Sequence, residues 1–381
     1  MYKEYSEKLI RFAKEKIERC IESETMRLNA KAFIRESVLG AKNILNIILR
    51  GCKASLQLSL DHLFDKGTLK KTVSKAAFSK ARKALNPEYV REFADGSAEI
   101  YVEEVPAETY KGKRVIAIDG SDIALENQKE LLEYFGCSGS KKSAATALGS
   151  YAYDVNSEIV YDCRIAKYAA SERDLARMHI ERLKELGLGS SVILADRGYP
   201  SYEFMAELID NGFDFLIRIP KSWTILVEML EAHPDENDFY FELSGKRYDF
   251  RAYCVTLDSD EHEWLVTSLN AETLSADEAK ELYAKRWGIE TKYGFVKNKL
   301  QLENFSGKTV IAVKQEFYAA VYLANLCTAV TKVADAQIEN DDLKKLSNIR
   351  VRLTELVSLT ELCLFLSPLF VNKANENAAK C

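Results

Sequence analysis

Residues 114–125 read RVIAIDGSDIAL, an apolar run from Val115 to Ile118 that ends on Asp119-Gly120. A run of this length, rich in β-branched residues and closed by a turn pair, predicts a buried β-strand. Two more strand-like segments follow, ATALGSYAYDV (145–155) and EIVYDCRIAKY (158–168). SERDLARMHIERLKELG (171–187) reads as a helix with Ser171 as N-cap and a closing glycine. Glu172 and Asp174 fit its first turn as acids favoured by the helix N-terminus. SVILADRGY (191–199) is a fourth strand, a helix lies near 202–211, and DFLIRIP (214–220) is a fifth strand. Three strands, then strands alternating with helices, predict a mixed α/β layer domain.

Outward from this core, residues between Pro220 and Ser275 keep strand character in DFYFEL, YDFRAYCVTL and EWLVTSL, as an insertion built on β-structure. A long helix then begins at Ser275, with Glu278 three residues on as a capping box. The first hundred residues read as helices, among them EYSEKLIRFAKEKIERCIE, SVLGAKNILNIILR and TVSKAAFSKARKAL. The last of these stops before Asn86-Pro87. The expected division is a helical region over 1–105, a core over 106–325 with its insertion at about 221–272, and a helical region over 326–381 ending in the polar tail VNKANENAAKC.

Bulk properties narrow the function classes. The 381 residues are 47% hydrophobic and 29% charged, an ordinary globular composition. The charged N-terminus has no signal-peptide core, and the run Leu362 to Phe370 is too short to span a bilayer, so a cytoplasmic protein without a membrane partner is expected. The eight cysteines show no short Cys-x-x-Cys spacing, and the four histidines form no ligand pattern. The net charge of −5 argues mildly against nucleic acid. From Lys66 to Lys83, however, seven basic residues occur without one acid, including Lys75, Lys80, Arg82 and Lys83. Such a face could track a phosphate backbone or be simply solvated.

Asp119 and Asp196 each end an apolar run. Either they close turns, or they project from the carboxyl ends of strands, where ligand sites of open α/β sheets gather. In ELYAKRWGIETKYGFVKNKL (281–300), Tyr283, Arg286, Glu290 and Lys297 are separated by three, four and seven residues. On one helix these offsets put all four on one face. An Arg286–Glu290 surface ion pair would account for two of them. An aromatic and two cations flanking a carboxylate also suit a phosphodiester site, with Glu290 as an oxygen ligand for Mg²⁺.

The spaced quartet Tyr283, Arg286, Glu290 and Lys297 resembles the signature of a large group of bacterial insertion-sequence transposases of the DDE class. Asp119-Gly120-Ser121 and Asp196-Arg197-Gly198-Tyr199 are similar to that group's motifs, in the right order. The likeness covers about residues 65 to 330. Glu263-Trp264-Leu265 with Thr267-Ser268 looks like the family segment whose tryptophan stacks on a base flipped from the duplex, and AAFSKARKAL (76–85) resembles the N-terminal DNA-binding region. The 94 residues from Asp196 to Glu290 (290 − 196) suit the β-rich insertion known in this group.

The resemblance implies a ribonuclease-H-like mixed sheet core with flanking helical regions. It also implies two Mg²⁺ ions, replaceable by Mn²⁺, held by Asp119, Asp196 and Glu290, with Arg286, Lys297 and Tyr283 on phosphates or sugar. The expected partners are terminal inverted repeats and target DNA, bound by two protomers, with hairpin ends during excision. The alternatives are a domesticated or inactive DNA-binding descendant, weakened by the presence of all three acids, and a metal-dependent phosphatase, which leaves the Tyr-Arg-Glu-Lys stripe unexplained.

Overall fold

In chain order the helices are α1 (Tyr2–Glu18), α2 (Ala41–Leu49), α3 (Leu56–Asp65), α4 (Lys75–Arg82), α5 (Pro87–Glu104), α6 (Lys129–Phe135), α7 (Glu172–Glu185), α8 (Tyr202–Asp210), α9 (Thr224–Ala232), α10 (Ala276–Ala284), α11 (Trp287–Gly294) and α12 (Val310–Asn340). The strands are β1 (Val115–Ala124), β2 (Thr146–Asp154), β3 (Val160–Lys167), β4 (Val192–Ala195), β5 (Asp214–Ile219), β6 (Asp238–Leu243), β7 (Lys246–Thr256) and β8 (His262–Thr267). This computed structural model describes residues 1–340 except 36, 52–54, 66–70, 140–143, 234–236 and 257–260. Most of the expected C-terminal region, with its polar tail, therefore lies outside the described residues, as do Lys66 and Lys70 of the basic stretch.

Two compact units are present. One comprises Met1–Val105, Ile123–Ala147 and the chain from Gly294; the other comprises Pro106–Asp122 and Leu148–Tyr293.

The sheet has the strand order β3-β2-β1-β4-β5-β8-β7-β6. Backbone bonds from Leu125 to Ala145 and from Val155 to Val115 run β2 antiparallel to β1. β4 pairs parallel to β1 with Ile118 opposite Ala195, and β5 pairs parallel to β4. Three meandering strands followed by two parallel ones reached through α7 and α8 form the ribonuclease-H-like core expected from the sequence. The four residues Val115 to Ile118 and all of Val192–Ala195 are buried, as strands covered on both faces must be. Ser171, Ser201 and Ser275 cap α7, α8 and α10 by accepting backbone N–H bonds, the last in the expected capping box.

The β-rich insertion extends the sheet. β8 pairs antiparallel to β5, and β7 and β6 continue outward. Ser244 and Gly245, both with positive φ, form the two-residue turn between β6 and β7.

In the first unit, α12 packs against α5 and α1. Its Val310–Ala336 stretch is long and apolar enough to cross a membrane, but the apolar window is 83% buried inside the protein. The buried amides of Gln315 and Asn325 find partners there on Leu85 and Ser97, so this is a core helix, mostly buried. Asn86-Pro87, read as a stop, also starts a helix: Asn86 accepts the Glu88 N–H and Pro87 occupies the first turn of α5.

Candidate active site

Parallel pairing of β1 and β4 in register sets Asp119 and Asp196 each one residue beyond the paired Ile118 and Ala195. β1 does not close at Asp119-Gly120 but runs on to Ala124, so Asp119 stands mid-strand, level with Asp196 just past the end of neighbouring β4, at a strand spacing of about 4.8 Å. Asp119 is largely buried, and its Oδ1 accepts the Gly120 N–H at 2.9 Å. Burial pushes its carboxyl up to about 6, against the pull of Arg286 and with further push from Asp196 and Glu172. Asp196 accepts from the Arg197 N–H at 2.5 Å and from Arg218 Nε at 3.0 Å. Arg218 reaches Glu263 as well.

The expected single helix over 281–300 is instead three pieces. α10 ends at Ala284, a tight turn passes through Lys285–Arg286, α11 begins at Trp287, and Phe295–Lys299 winds as a π-helical turn. Bonds from Arg286 N to Tyr283 O and from Ile289 N to Arg286 O tighten the joint to three-residue spacing. Tyr283 therefore closes α10, Arg286 sits in the joint, and Glu290 lies in the first turn of α11. Lys297 falls in the π-helical turn, in the first unit, with its ammonium 3.8 Å from Glu303. The α-helical argument for one common face does not reach it, because a π turn breaks the phase of the repeat.

Arg286 is 6% exposed and bridges two acids, with Asp119 Oδ2 at 3.2 Å and Glu290 Oε1 at 2.8 Å. The side chain expected on a phosphate is here the cation between two carboxylates. Among the described residues, no group of three or more carboxylate, imidazole or thiolate side chains is already gathered to hold a metal ion. The α11 helix is fastened by Tyr293, whose hydroxyl donates to the carbonyls of Asp119 and Gly149 and whose ring stacks on Tyr151 at 4.3 Å. Beneath β1, Ser150 donates to the Asp119 carbonyl and meets His179, which meets Asp162 at 2.7 Å.

Two hydroxyls facing the acids lack a partner. Tyr199 and Tyr283 are 1% and 7% exposed, and neither hydroxyl makes a hydrogen bond. Trp264 is 5% exposed and lines a polar cleft of about 480 Å³ with Arg197, Arg218, Lys221 and Glu263, the Lys221 ammonium lying 5.5 Å from its ring.

Sequence reasoning missed two residues. Arg218 was hidden in the apolar strand LIRI, where a lone charge at a buried strand end was the available signal. Glu172 stands in the first turn of α7 as expected, and its carboxylate also lies beside Gly120 and Gly198: a Cβ there would meet its two oxygens at 2.6 and 3.2 Å. Asp174 does serve the helix start, paired with Arg177 at 2.8 Å.

Of the basic stretch, Lys75, Lys80 and Lys83 are exposed on and just after α4. Arg82 is corrected: at 1% exposure it cannot reach DNA, because it bonds Gln315 at 2.9 Å, Ser306 at 3.0 Å and Glu316 at 2.5 Å. The helix turns Phe78 and Arg82, four residues apart, inward, and the lysines outward.

The family model described as transposase DDE domain matches residues 110–326, more than half of the chain. No curated protein matches the sequence. Among solved structures, the chain is similar to a piggyBac transposase in a synaptic complex with hairpin DNA, at 10% identity and a TM-score of 0.49, over 96% of this chain and 79% of that one.

Proposed function

The chain belongs to the transposase DDE domain family, and on that premise we propose that it is the metal-dependent cut-and-paste enzyme of an insertion sequence, with Asp119, Asp196 and Glu290 as catalytic carboxylates. The observation that carries the reading is Arg286 held between Asp119 and Glu290. Two acids far apart in sequence share one cation, and Asp196 lies level with Asp119 on the neighbouring strand.

The residues fit a hard divalent cation. The donors are carboxylates, which suit Mg²⁺ or Mn²⁺. Burial and neighbouring acids hold Asp119 above the ordinary carboxylate range, a strain that a cation would relieve. When bound, two such ions would supply activation of water and then of a 3′-hydroxyl, and stabilise the leaving oxygen.

The chain's own groups do the rest. Asp119, Asp196 and Glu290 would hold the metals, and Arg286, released from its two acids, would turn to a phosphate as a fork donor. Tyr283 would give its unpartnered hydroxyl to the DNA backbone, and Lys297 would contact a phosphate. The cleft beside Trp264 suits a nucleotide displaced from the duplex, with Arg197, Arg218 and Lys221 for its phosphate and the indole for its base. Such displacement would relieve strain in hairpin ends. Lys75, Lys80 and Lys83 would follow the backbone of a terminal inverted repeat. Two protomers, each on one end, would act in the bacterial cytoplasm on the element and its target DNA.

The test is cleavage of a supercoiled plasmid carrying the element's ends, with Mg²⁺ or Mn²⁺, by the native chain and by Glu290→Gln. Nicks, hairpins or excision by the native chain alone support the reading. End binding without cleavage by either protein would identify a decayed or domesticated copy. Equal cleavage by both would remove Glu290 from the site.

A further inference from the structure

We infer that Glu172 is a fourth acidic residue of the active site, facing the divalent cation together with Asp119 and Asp196. The inference rests on the proposed metal-dependent reading of those two aspartates. Glu172 is the first residue of α7, a helix that could use any acid there, but its carboxylate is placed with unusual specificity. Gly120 follows Asp119 and Gly198 follows Asp196 by two, and both lack the side chain that would meet Glu172. A Cβ on Gly120 would lie 2.6 Å from Oε1, and one on Gly198 would lie 3.2 Å from Oε2. The backbone beside each aspartate therefore also leaves room for this third carboxylate.

Its surroundings call for a cation. Among the described residues, no hydrogen bond or ion pair holds the half-buried Glu172 carboxylate, and its acidic neighbours include Asp196 and Asp122. A carboxylate that gives up water without a partner is unfavourable unless another charge offsets it. The buried hydroxyl of Tyr199 is an independent sign. It has no hydrogen-bond partner, and the charges of Asp119, Glu172 and Asp196 act on it, opposed by Arg286. An orphaned hydroxyl amid three acids marks a place where a ligand with its water completes the polar contacts. Asp174, two residues on, is by contrast already paired with Arg177.

The experiment is calorimetric titration of Mn²⁺ into the full chain without DNA, alongside metal-free melting curves. It compares native protein with Glu172→Gln, Glu172→Asp, Asp174→Asn and Asp119→Asn. Glu172→Asp keeps the helix-start charge and retracts the carboxylate by one methylene, so it separates the two roles if the glutamine variant folds poorly. The expected result is a loss of Mn²⁺ affinity of about tenfold or more in both Glu172 variants, with Asp174→Asn like native. Native affinity in both Glu172 variants, with loss in Asp119→Asn, would overturn the inference and leave the aspartate reading standing. Absence of Mn²⁺ binding by the native chain would overturn both.

Discussion

The hydroxyl of Tyr293 donates to the backbone carbonyl of Asp119 across 2.9 Å. Glu290 lies three residues before Tyr293 on α11, so this bond fastens the helix that carries one candidate acid to the strand that carries another. Stacking of Tyr293 on Tyr151 adds to the same joint. The relative placement of Asp119 and Glu290 thus depends on a group that touches neither carboxylate.

Tyr293→Phe should keep the stacking and lose the tether. Ser150 still donates to the Asp119 carbonyl, so the expected stability loss is about 1 kcal/mol. Cleavage should fall about tenfold, since small misplacements at a reacting centre are costly. Denaturant melts and plasmid cleavage, run together, check this. A large stability loss with proportionate inactivation would make Tyr293 a packing residue only.

Arg82 and Lys80 should behave oppositely, although both belong to one basic run. Removing Arg82 leaves the Glu316 carboxylate without its buried partner, and Arg82→Gln should cost about 3–5 kcal/mol. Lys80→Ala should change stability by about 0.5 kcal/mol or less and lower the salt slope of DNA binding by about one. Urea unfolding and salt-dependent binding measure the two effects. Loss of DNA affinity at unchanged stability in the Arg82 variant would contradict its placement in the core.

Asp119 should make metal-free stability depend on pH. Its folded carboxyl titrates at about 6, above the ordinary value of 3.8, so the folded state binds this proton more tightly than the unfolded chain. The associated stabilisation is present below about pH 4 and is lost as pH rises through about 6. Glu172, also raised by burial, acts in the same direction. Asp119→Asn should therefore flatten the fall of melting temperature between those values, in buffer containing a chelator. An unchanged profile would mean that Asp119 is solvated.

Much of this arrangement was legible in the sequence because it is local. Buried strands wrote themselves as apolar runs, so Asp196 was found at the end of β4, although β1 runs past Asp119 to Ala124, and Ser171 and Ser275 announced their helices. The quartet around Glu290 was legible as spacing, but the joint at Arg286 and the π turn at Lys297 were not. Helical offsets carry no sign of where a helix changes pitch. Arg82 was misread because a basic run gives no indication of which face turns inward. Glu172 and Arg218 escaped for a related reason: each acquires its role from neighbours about twenty or more residues away, which only the sheet brings together.

Gly120→Ala tests the space around Glu172 directly. Gly120 is not a positive-φ residue, so alanine is tolerated by the backbone, and the difficulty is the methyl itself. It would meet Glu172 Oε1 at 2.6 Å and Leu148 Cδ1 at 3.1 Å. The flexible carboxylate should yield first, moving off the position argued to face the cation. In the native background, Gly120→Ala should therefore weaken Mn²⁺ binding much as Glu172→Gln does. In a Glu172→Ala background there is nothing left to displace, and the same substitution should have little further effect. Coupling of this kind between contacting residues is read from a double-mutant cycle of the four proteins. Equal losses in both backgrounds would place the effect on Leu148 and the middle of β1, and would leave Glu172 as a helix-start charge.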